Sequence, residues 1–173
     1  MTNNGTKRFK ILVLHAKPED TNMVRTIEEK FKDSTNFMYT DTIDEAVEVC
    51  VGLKENENSE DNTPDIIIVG YKNSKLESKD LENKVKRVYG QMAIGAVLKK
   101  KCINNGVSGT AICIIDGGGS KLKAEEIGYV MSRCETERIK YVNESSDGAF
   151  GQMEAYIQNQ IDQKTGKVAI LHE

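Results

Sequence analysis

The run Asp65–Tyr71, Asp-Ile-Ile-Ile-Val-Gly-Tyr, is the stretch that most constrains what this chain can fold into. It places four consecutive branched apolar residues between Pro64 and Gly70, without polar alternation. Such a run is typical of a short strand that is buried on both faces in a parallel sheet. Ile11–Leu14 has the same pattern further upstream. Because open parallel sheets bind ligands beyond the carboxyl ends of their strands, any chemistry is expected directly after these two runs.

Five apolar runs are predicted to be strands, and a helical pattern follows each of them. The predicted strands are Phe9–Leu14, Phe37–Thr40, Asp65–Val69, Thr110–Ile115 and Ile139–Val142. Strict alternation of strands and helices predicts right-handed crossovers and a doubly wound α/β sheet. Five such units fit a flavodoxin-like, five-stranded parallel sheet in the order 2-1-3-4-5.

The helix starts and buried helix faces can also be predicted. Pro18-Glu19-Asp20-Thr21 predicts the start of the first helix, with Glu19 and Asp20 as acidic residues of its first turn. Apolar residues at helical spacing predict the buried faces. These are Val24, Ile27 and Phe31; Ile43, Ala46, Val47, Cys50 and Leu53; Val85, Val88, Met92 and Leu98; Ile127, Val130 and Met131; and Phe150, Met153, Ile157 and Ile161.

Length, charge and cysteine usage limit the roles of the chain. Its 173 residues predict one domain over residues 9–162, between a flexible tail at 1–8 and a linker or extension at 163–173. The net charge of −3 without a basic stripe gives no support to nucleic-acid binding, and no apolar run is long enough for a membrane span. Four widely spaced cysteines without a C-x-x-C pair are typical of free thiols in the cytosol, so we expect a cytoplasmic protein without a zinc site.

The sequence carries neither of the common nucleotide-binding signatures. No G-x-G-x-x-G follows the first strand, and no G-x-x-x-x-G-K-[ST] occurs in the chain. We therefore expect no cofactor. The loop Gly117, Gly118, Gly119 and Ser120 precedes a helix, and its amides could bind an anion. The alternative interpretation of this loop is a mobile turn.

Three motifs, in order, resemble response-regulator receiver domains. They are Ile11–Pro18 (Ile-Leu-Val-Leu-His-Ala-Lys-Pro), Asp44–Glu48 (Asp-Glu-Ala-Val-Glu) and Pro64–Gly70 (Pro-Asp-Ile-Ile-Ile-Val-Gly). The resemblance covers about residues 9–162 and implies the CheY-like form of the flavodoxin-like fold. In receivers an acidic pair after the first strand binds Mg²⁺, and an aspartate ending the third strand accepts a phosphoryl group. A hydroxyl residue after strand four and a lysine after strand five complete that pocket.

The chain departs from the receiver pattern at each of these positions. His15 and Ala16 replace the acidic pair, and Gly70 replaces the phosphoacceptor. The hydroxyl position falls near Asp116, the best remaining carboxylate, or Gly117, and the lysine position near Asn143 or Glu144. The resemblance therefore implies a degenerate pocket without metal or catalysis. It implies a pseudo-receiver that acts through protein contacts, with a protein partner, a downstream domain or a second copy of itself, at the last helix and the face of strands four and five.

Other resemblances leave three interpretations open. Ala16–Asp20 and Asn143–Ser146 are similar to the N-terminal receiver-like region of cAMP-specific phosphodiesterases that also carry a PAS domain. Phe9–Ala16 followed by Glu-Asp-Thr resembles the opening of TIR-like or SEFIR-like adaptor or NAD-cleaving domains. Against the latter, Tyr39–Ile43 is too short for their long loop, and the chain has no Trp. A flavodoxin-like small-molecule enzyme is the third interpretation, although no nucleophile–base pair supports it.

Overall fold

The computed structural model describes residues 9–19, 21–51, 63–70, 84–104, 109–116, 124–144 and 146–166. Strands and helices alternate throughout these ranges, as the sequence predicts. In chain order they are β1 Phe9–Leu14, α1 Asn22–Phe31, β2 Thr35–Thr40, α2 Ile43–Val51, β3 Ile66–Val69, α3 Lys84–Asn104, β4 Ala111–Asp116, α4 Ala124–Thr136, β5 Ile139–Asn143 and α5 Ala149–Thr165. No helix in these ranges is both long enough and apolar enough to cross a membrane.

The strands form one parallel sheet in the order β2-β1-β3-β4-β5. This confirms the predicted flavodoxin-like topology. Leu14 is level with Thr40 of β2 and with Val69 of β3, and Val69 is level with Ile114 of β4. The carboxyl ends of all five strands therefore lie along one edge of the sheet, which we call the carboxyl edge.

Two apolar cores lie on opposite faces of the sheet, because successive side chains of a strand point to opposite sides. In β1, Ile11 and Val13 belong to the core under α1 and α5. Leu12 and Leu14 belong to the core under α2, α3 and α4. All four side chains are at most 1% exposed. Full burial of such a side chain stabilises a fold by about 2 kcal/mol, so the double-sided burial of β1 accounts for its run of unbroken apolar residues.

Helix α1 follows the predicted apolar face but not the predicted start. Val24, Ile27 and Phe31 are buried, as expected. Thr21 is the N-cap, and its hydroxyl oxygen accepts a hydrogen bond of 3.0 Å from the amide of Val24. Glu19 precedes this cap and the first turn holds no acidic residue, so the prediction of Glu19 as a first-turn residue is wrong. Asp20 lies outside the described residues.

Two of the predicted core residues are exposed. Met131 follows Val130 by one position, which is about 100° around a helix, so only one of the two can face the sheet. Val130 is fully buried and Met131 is 55% exposed. Ile43, the first residue of α2, is 40% exposed, whereas Ala46 one turn later is buried. Leu53 and the side chains of Val85, Val88 and Ile127 lie outside the described residues.

The last helix is longer than predicted. Helix α5 continues through Gln163–Thr165, which the sequence pattern assigned to the C-terminal extension. Gly166 then ends it with a left-handed φ of 75°, a conformation that glycine adopts without steric cost. Lys164 lies over the ring of Phe9 and forms an ion pair with Asp65, so the added turn is attached to the amino ends of β1 and β3.

Candidate functional site

The close approach of the β1–α1 loop to Gly70 is the main feature of the carboxyl edge. The Gly70 amide donates a hydrogen bond of 2.7 Å to the carbonyl oxygen of Leu14. A Cβ atom on Gly70 would lie less than 3.0 Å from Cβ of Ala16 and 2.9 Å from the carbonyl oxygen of His15. Real Cβ atoms do not approach other atoms so closely. The structure thus brings His15, Ala16 and Gly70 together, in an arrangement that excludes any side chain at position 70.

A residue in the left-handed backbone conformation directs the β1–α1 loop toward Gly70. His15 has a φ of 63°, which is unfavourable for a residue with a side chain. Its amide donates a hydrogen bond of 3.2 Å to the carbonyl oxygen of Thr40, the last residue of β2. The turn carries Ala16, which is 1% exposed, inward against the end of β3. The methyl group of Ala16 thus fills the space between the β1–α1 loop and the end of β3.

The His15 imidazole is buried and serves to hold the loop. Burial lowers the pKa of His15, while its hydrogen bond to the backbone of Asp41 and the charge of Asp41 oppose that shift. The ring is therefore neutral at pH 7. Lys17 forms an ion pair of 2.7 Å with Asp41. Both side chains are at least 40% exposed, so this pair contributes less than about 1 kcal/mol.

Asp116 and Asn143 lie next to each other at the ends of β4 and β5. The carboxylate of Asp116 is 1% exposed and accepts a hydrogen bond of 2.7 Å from the Tyr141 hydroxyl. The carbonyl oxygen of Asn143 accepts hydrogen bonds from the amide and the hydroxyl of Ser146, at 3.0 and 2.7 Å. The amide of Glu144 donates to the carbonyl oxygen of Asp116 at 2.9 Å. These contacts fix the β5–α5 turn and direct Asp116 toward β5.

Gln91 of α3 is a site residue that sequence reasoning missed. Its side-chain amide nitrogen donates to the carbonyl oxygens of Val69, at 3.1 Å, and of Ile115, at 2.9 Å. It thereby ties the end of β3 to the end of β4, and it is only 4% exposed. Its Oε1 atom is buried and has no hydrogen-bond partner among the described residues. The sequence pattern could have identified Gln91 as a buried polar residue. It lies seven residues before Leu98, on the same helix face, and is the polar member of an apolar helical stripe.

The described residues give little support for a metal or anion site at the carboxyl edge. Across the described ranges, no group of three or more His, Cys, Asp or Glu residues could hold a metal ion. The candidate anion loop Gly117–Ser120 lies outside the described residues, so anion binding there stays a prediction. Within the described residues, Ala16 and backbone atoms pack against Gly70 at this edge.

A groove lies between α4 and β5. Strand β5 is an edge strand of the described sheet. We call this cavity the β5-edge groove, and its volume is about 510 Å³. Met131, more than half exposed, lies on its α4 wall, and a Cβ on Gly128 would meet nothing within 4 Å. The lining residues are Gly128, Met131, Ser132, Cys134, Glu135, Ile139, Lys140 and Tyr141.

Comparison with protein-family models, curated proteins and solved structures found no match to this chain. The receiver resemblance therefore depends on the order of the three sequence motifs, together with a strand order that agrees with it.

Proposed function

We propose that this chain is a pseudo-receiver, a non-catalytic regulatory domain that acts through protein contacts. The main observation that supports this proposal is the contact of the β1–α1 loop with Gly70. Phosphoryl transfer to a receiver requires a carboxylate nucleophile at this position and cations beside it. Gly70 has no side chain, and Ala16 and the backbone of His15 occupy the space that one would need.

Three described polar side chains at the carboxyl edge form hydrogen bonds within the fold. Asp116 is hydrogen-bonded to Tyr141, and His15 is bonded to the backbone of Asp41. Gln91 joins the ends of β3 and β4. The proposed regulatory role is therefore to present a surface rather than to change one on phosphorylation.

The surface that we assign to this role is the β5-edge groove. An edge strand offers unpaired backbone groups, and an exposed apolar side chain beside it is a common feature of interfaces. Met131 supplies that side chain, and Lys140 and Glu135 supply charges of both signs. The occupant that we propose first is a second copy of the chain. A downstream domain, as in the phosphodiesterase resemblance, is the alternative occupant.

The proposal places the chain in the cytoplasm, where its four thiols would stay reduced. Two other functions are compatible with the same fold. One is a TIR-like or SEFIR-like domain, which an NAD-hydrolysis assay would reveal. The other is a flavodoxin-like small-molecule enzyme, which a coloured, flavin-containing preparation would favour.

Replacing Met131 by Lys is expected to abolish self-association, because an ammonium group on the wall of the groove would lose its hydration when the proposed interface forms. Light scattering on the purified chain should give a mass near twice 19.3 kDa for the wild type and near 19.3 kDa for Met131→Lys. Val97→Lys is the matched control, since Val97 is 50% exposed on α3 and does not line the groove. A wild-type chain that is monomeric at every concentration would exclude the homodimer. Dissociation by Val97→Lys but not by Met131→Lys would place the interface elsewhere.

A further inference from the structure

Charge is distributed unevenly in this chain, and helix α3 is its basic part. The 21 residues of α3 include six lysine or arginine residues and no aspartate or glutamate. Since the whole chain has a net charge of −3, the other residues together carry −9. Helices α1, α2, α4 and α5 each contain acidic residues. The chain therefore has a cationic helix within an otherwise anionic sequence, an arrangement that favours an anionic partner at α3.

One side of α3 is fixed against the sheet, which determines the side that is left to solvent. Leu98 and Cys102 are fully buried in the core that α3 shares with α2 and α4. A Cβ atom on Gly95 would lie 2.7 Å from the side chain of Ile112, so α3 packs closely on β4. The opposite side is therefore a preformed helical surface, and a partner that binds it does not have to order it.

The exposed side of α3 combines two apolar and two basic side chains, which we call the α3 face. Val97 and Ile103 are 50% and 49% exposed, and Lys100 and Lys101 are also exposed. Residues three or four positions apart are neighbours on a helix, so Val97 adjoins both lysines and Ile103 adjoins Lys100. Neither lysine forms an ion pair with a described residue, so ion pairing within the described ranges does not neutralise their charge.

We propose that the α3 face binds the surface of a membrane that contains anionic lipids, without crossing the bilayer. The charges are complementary, because lysine ammonium groups attract the phosphate and carboxylate groups of such lipids. The aliphatic side chains beside the lysines enter the boundary between headgroups and acyl chains. The exposed side of a helix is convex, and the α3 face does not line the β5-edge groove. It therefore fits a flat, deformable surface better than a peptide, which binds in a groove or along a sheet edge.

Cosedimentation of the full chain with lipid vesicles tests this inference. The wild type should bind vesicles of phosphatidylcholine that contain about one third phosphatidylserine, and it should not bind vesicles of phosphatidylcholine alone. Salt at about 1 M should release the bound chain, because it shortens the Debye length to about 3 Å. Absence of binding to the anionic vesicles, or equal binding to both kinds, would overturn the proposal. The result does not depend on the pseudo-receiver proposal, which concerns phosphorylation and contacts between proteins.

Two charge reversals separate the α3 face from unspecific attraction. Lys101→Glu removes an attractive charge and adds a repulsive one, so it should weaken vesicle binding at least about tenfold. Lys32→Glu is the matched control, since Lys32 is also an exposed lysine at a helix C-terminus, on α1 at the opposite face of the sheet. It changes the net charge equally and should leave binding within about twofold of the wild type. Equal loss in both variants would overturn the proposal, as would binding of soluble polyglutamate but not of vesicles, which would assign the α3 face to an acidic protein.

Discussion

Replacing Gly70 by Ala is expected to lower the free energy of unfolding by about 1–3 kcal/mol, since insertion into a closely packed site forces backbone and side chains apart. The added methyl group would overlap Cβ of Ala16 and the carbonyl oxygen of His15. The second of these is a backbone atom, held by the hydrogen bond between the His15 amide and Thr40. Urea denaturation, followed by circular dichroism, measures the change.

The same substitution at Gly90 is the matched control. Gly90 lies in α3, is exposed, and a Cβ added there would meet nothing within 4 Å. Gly90→Ala is therefore expected to stabilise the fold by about 0.5–1 kcal/mol, because alanine favours a helix over glycine. Ala16→Gly in the Gly70→Ala background should recover part of the loss, since it removes one of the two overlaps. Equal tolerance of alanine at positions 70 and 90 would show that the loop does not close on Gly70.

Replacing Gln91 by Glu is expected to lower the free energy of unfolding at pH 7 by about 3 kcal/mol or more, the range for breaking a buried polar pair. The change is nearly isosteric, so packing is preserved. It exchanges a nitrogen that donates to Val69 and Ile115 for a carboxylate oxygen that repels both carbonyl groups. Burial raises the pKa of the introduced carboxyl group, because the charged form is desolvated.

The sign of the pH dependence identifies the cause of that loss. A carboxyl group whose pKa is raised on folding is neutral at low pH and can then donate one hydrogen bond. The deficit of Gln91→Glu relative to the wild type should therefore shrink as the pH falls through the raised pKa. Gln91→Leu removes the donor without adding a charge, so its deficit should stay constant over the same range. A Gln91→Glu variant as stable as the wild type at pH 7 would contradict the role of Gln91.

The sequence was sufficient for the fold because the fold is specified by local pattern. Ile11–Leu14 and Ile66–Val69 are short, unbroken branched runs, and such runs are typical of central parallel strands. Alternation of strands and helices predicted a doubly wound sheet, and the number of units fitted the flavodoxin-like order 2-1-3-4-5. The α1 face was equally predictable, since Val24, Ile27 and Phe31 repeat at the period of a helix.

The candidate site was only partly predictable, because its geometry is tertiary. Sequence reasoning selected His15, Ala16 and Gly70 but could not show that Ala16 fills the space at Gly70, since that depends on the left-handed turn at His15. Gln91 was missed because its hydrogen-bond acceptors are backbone carbonyls more than twenty residues away. Met131 was misplaced because a one-residue step along a helix moves a side chain off the buried face.

The most direct test of the pseudo-receiver account is intact-mass measurement of the wild-type chain after incubation with acetyl phosphate and Mg²⁺. A chain whose β3 end carries no carboxylate, and whose β1–α1 loop packs against Gly70, should gain no phosphoryl group. A receiver domain with an intact acidic pocket, treated in parallel, is the positive control. A phosphoryl adduct that appears on the chain only with Mg²⁺, and that maps to Asp116 or to another carboxylate at the carboxyl edge, would contradict the account.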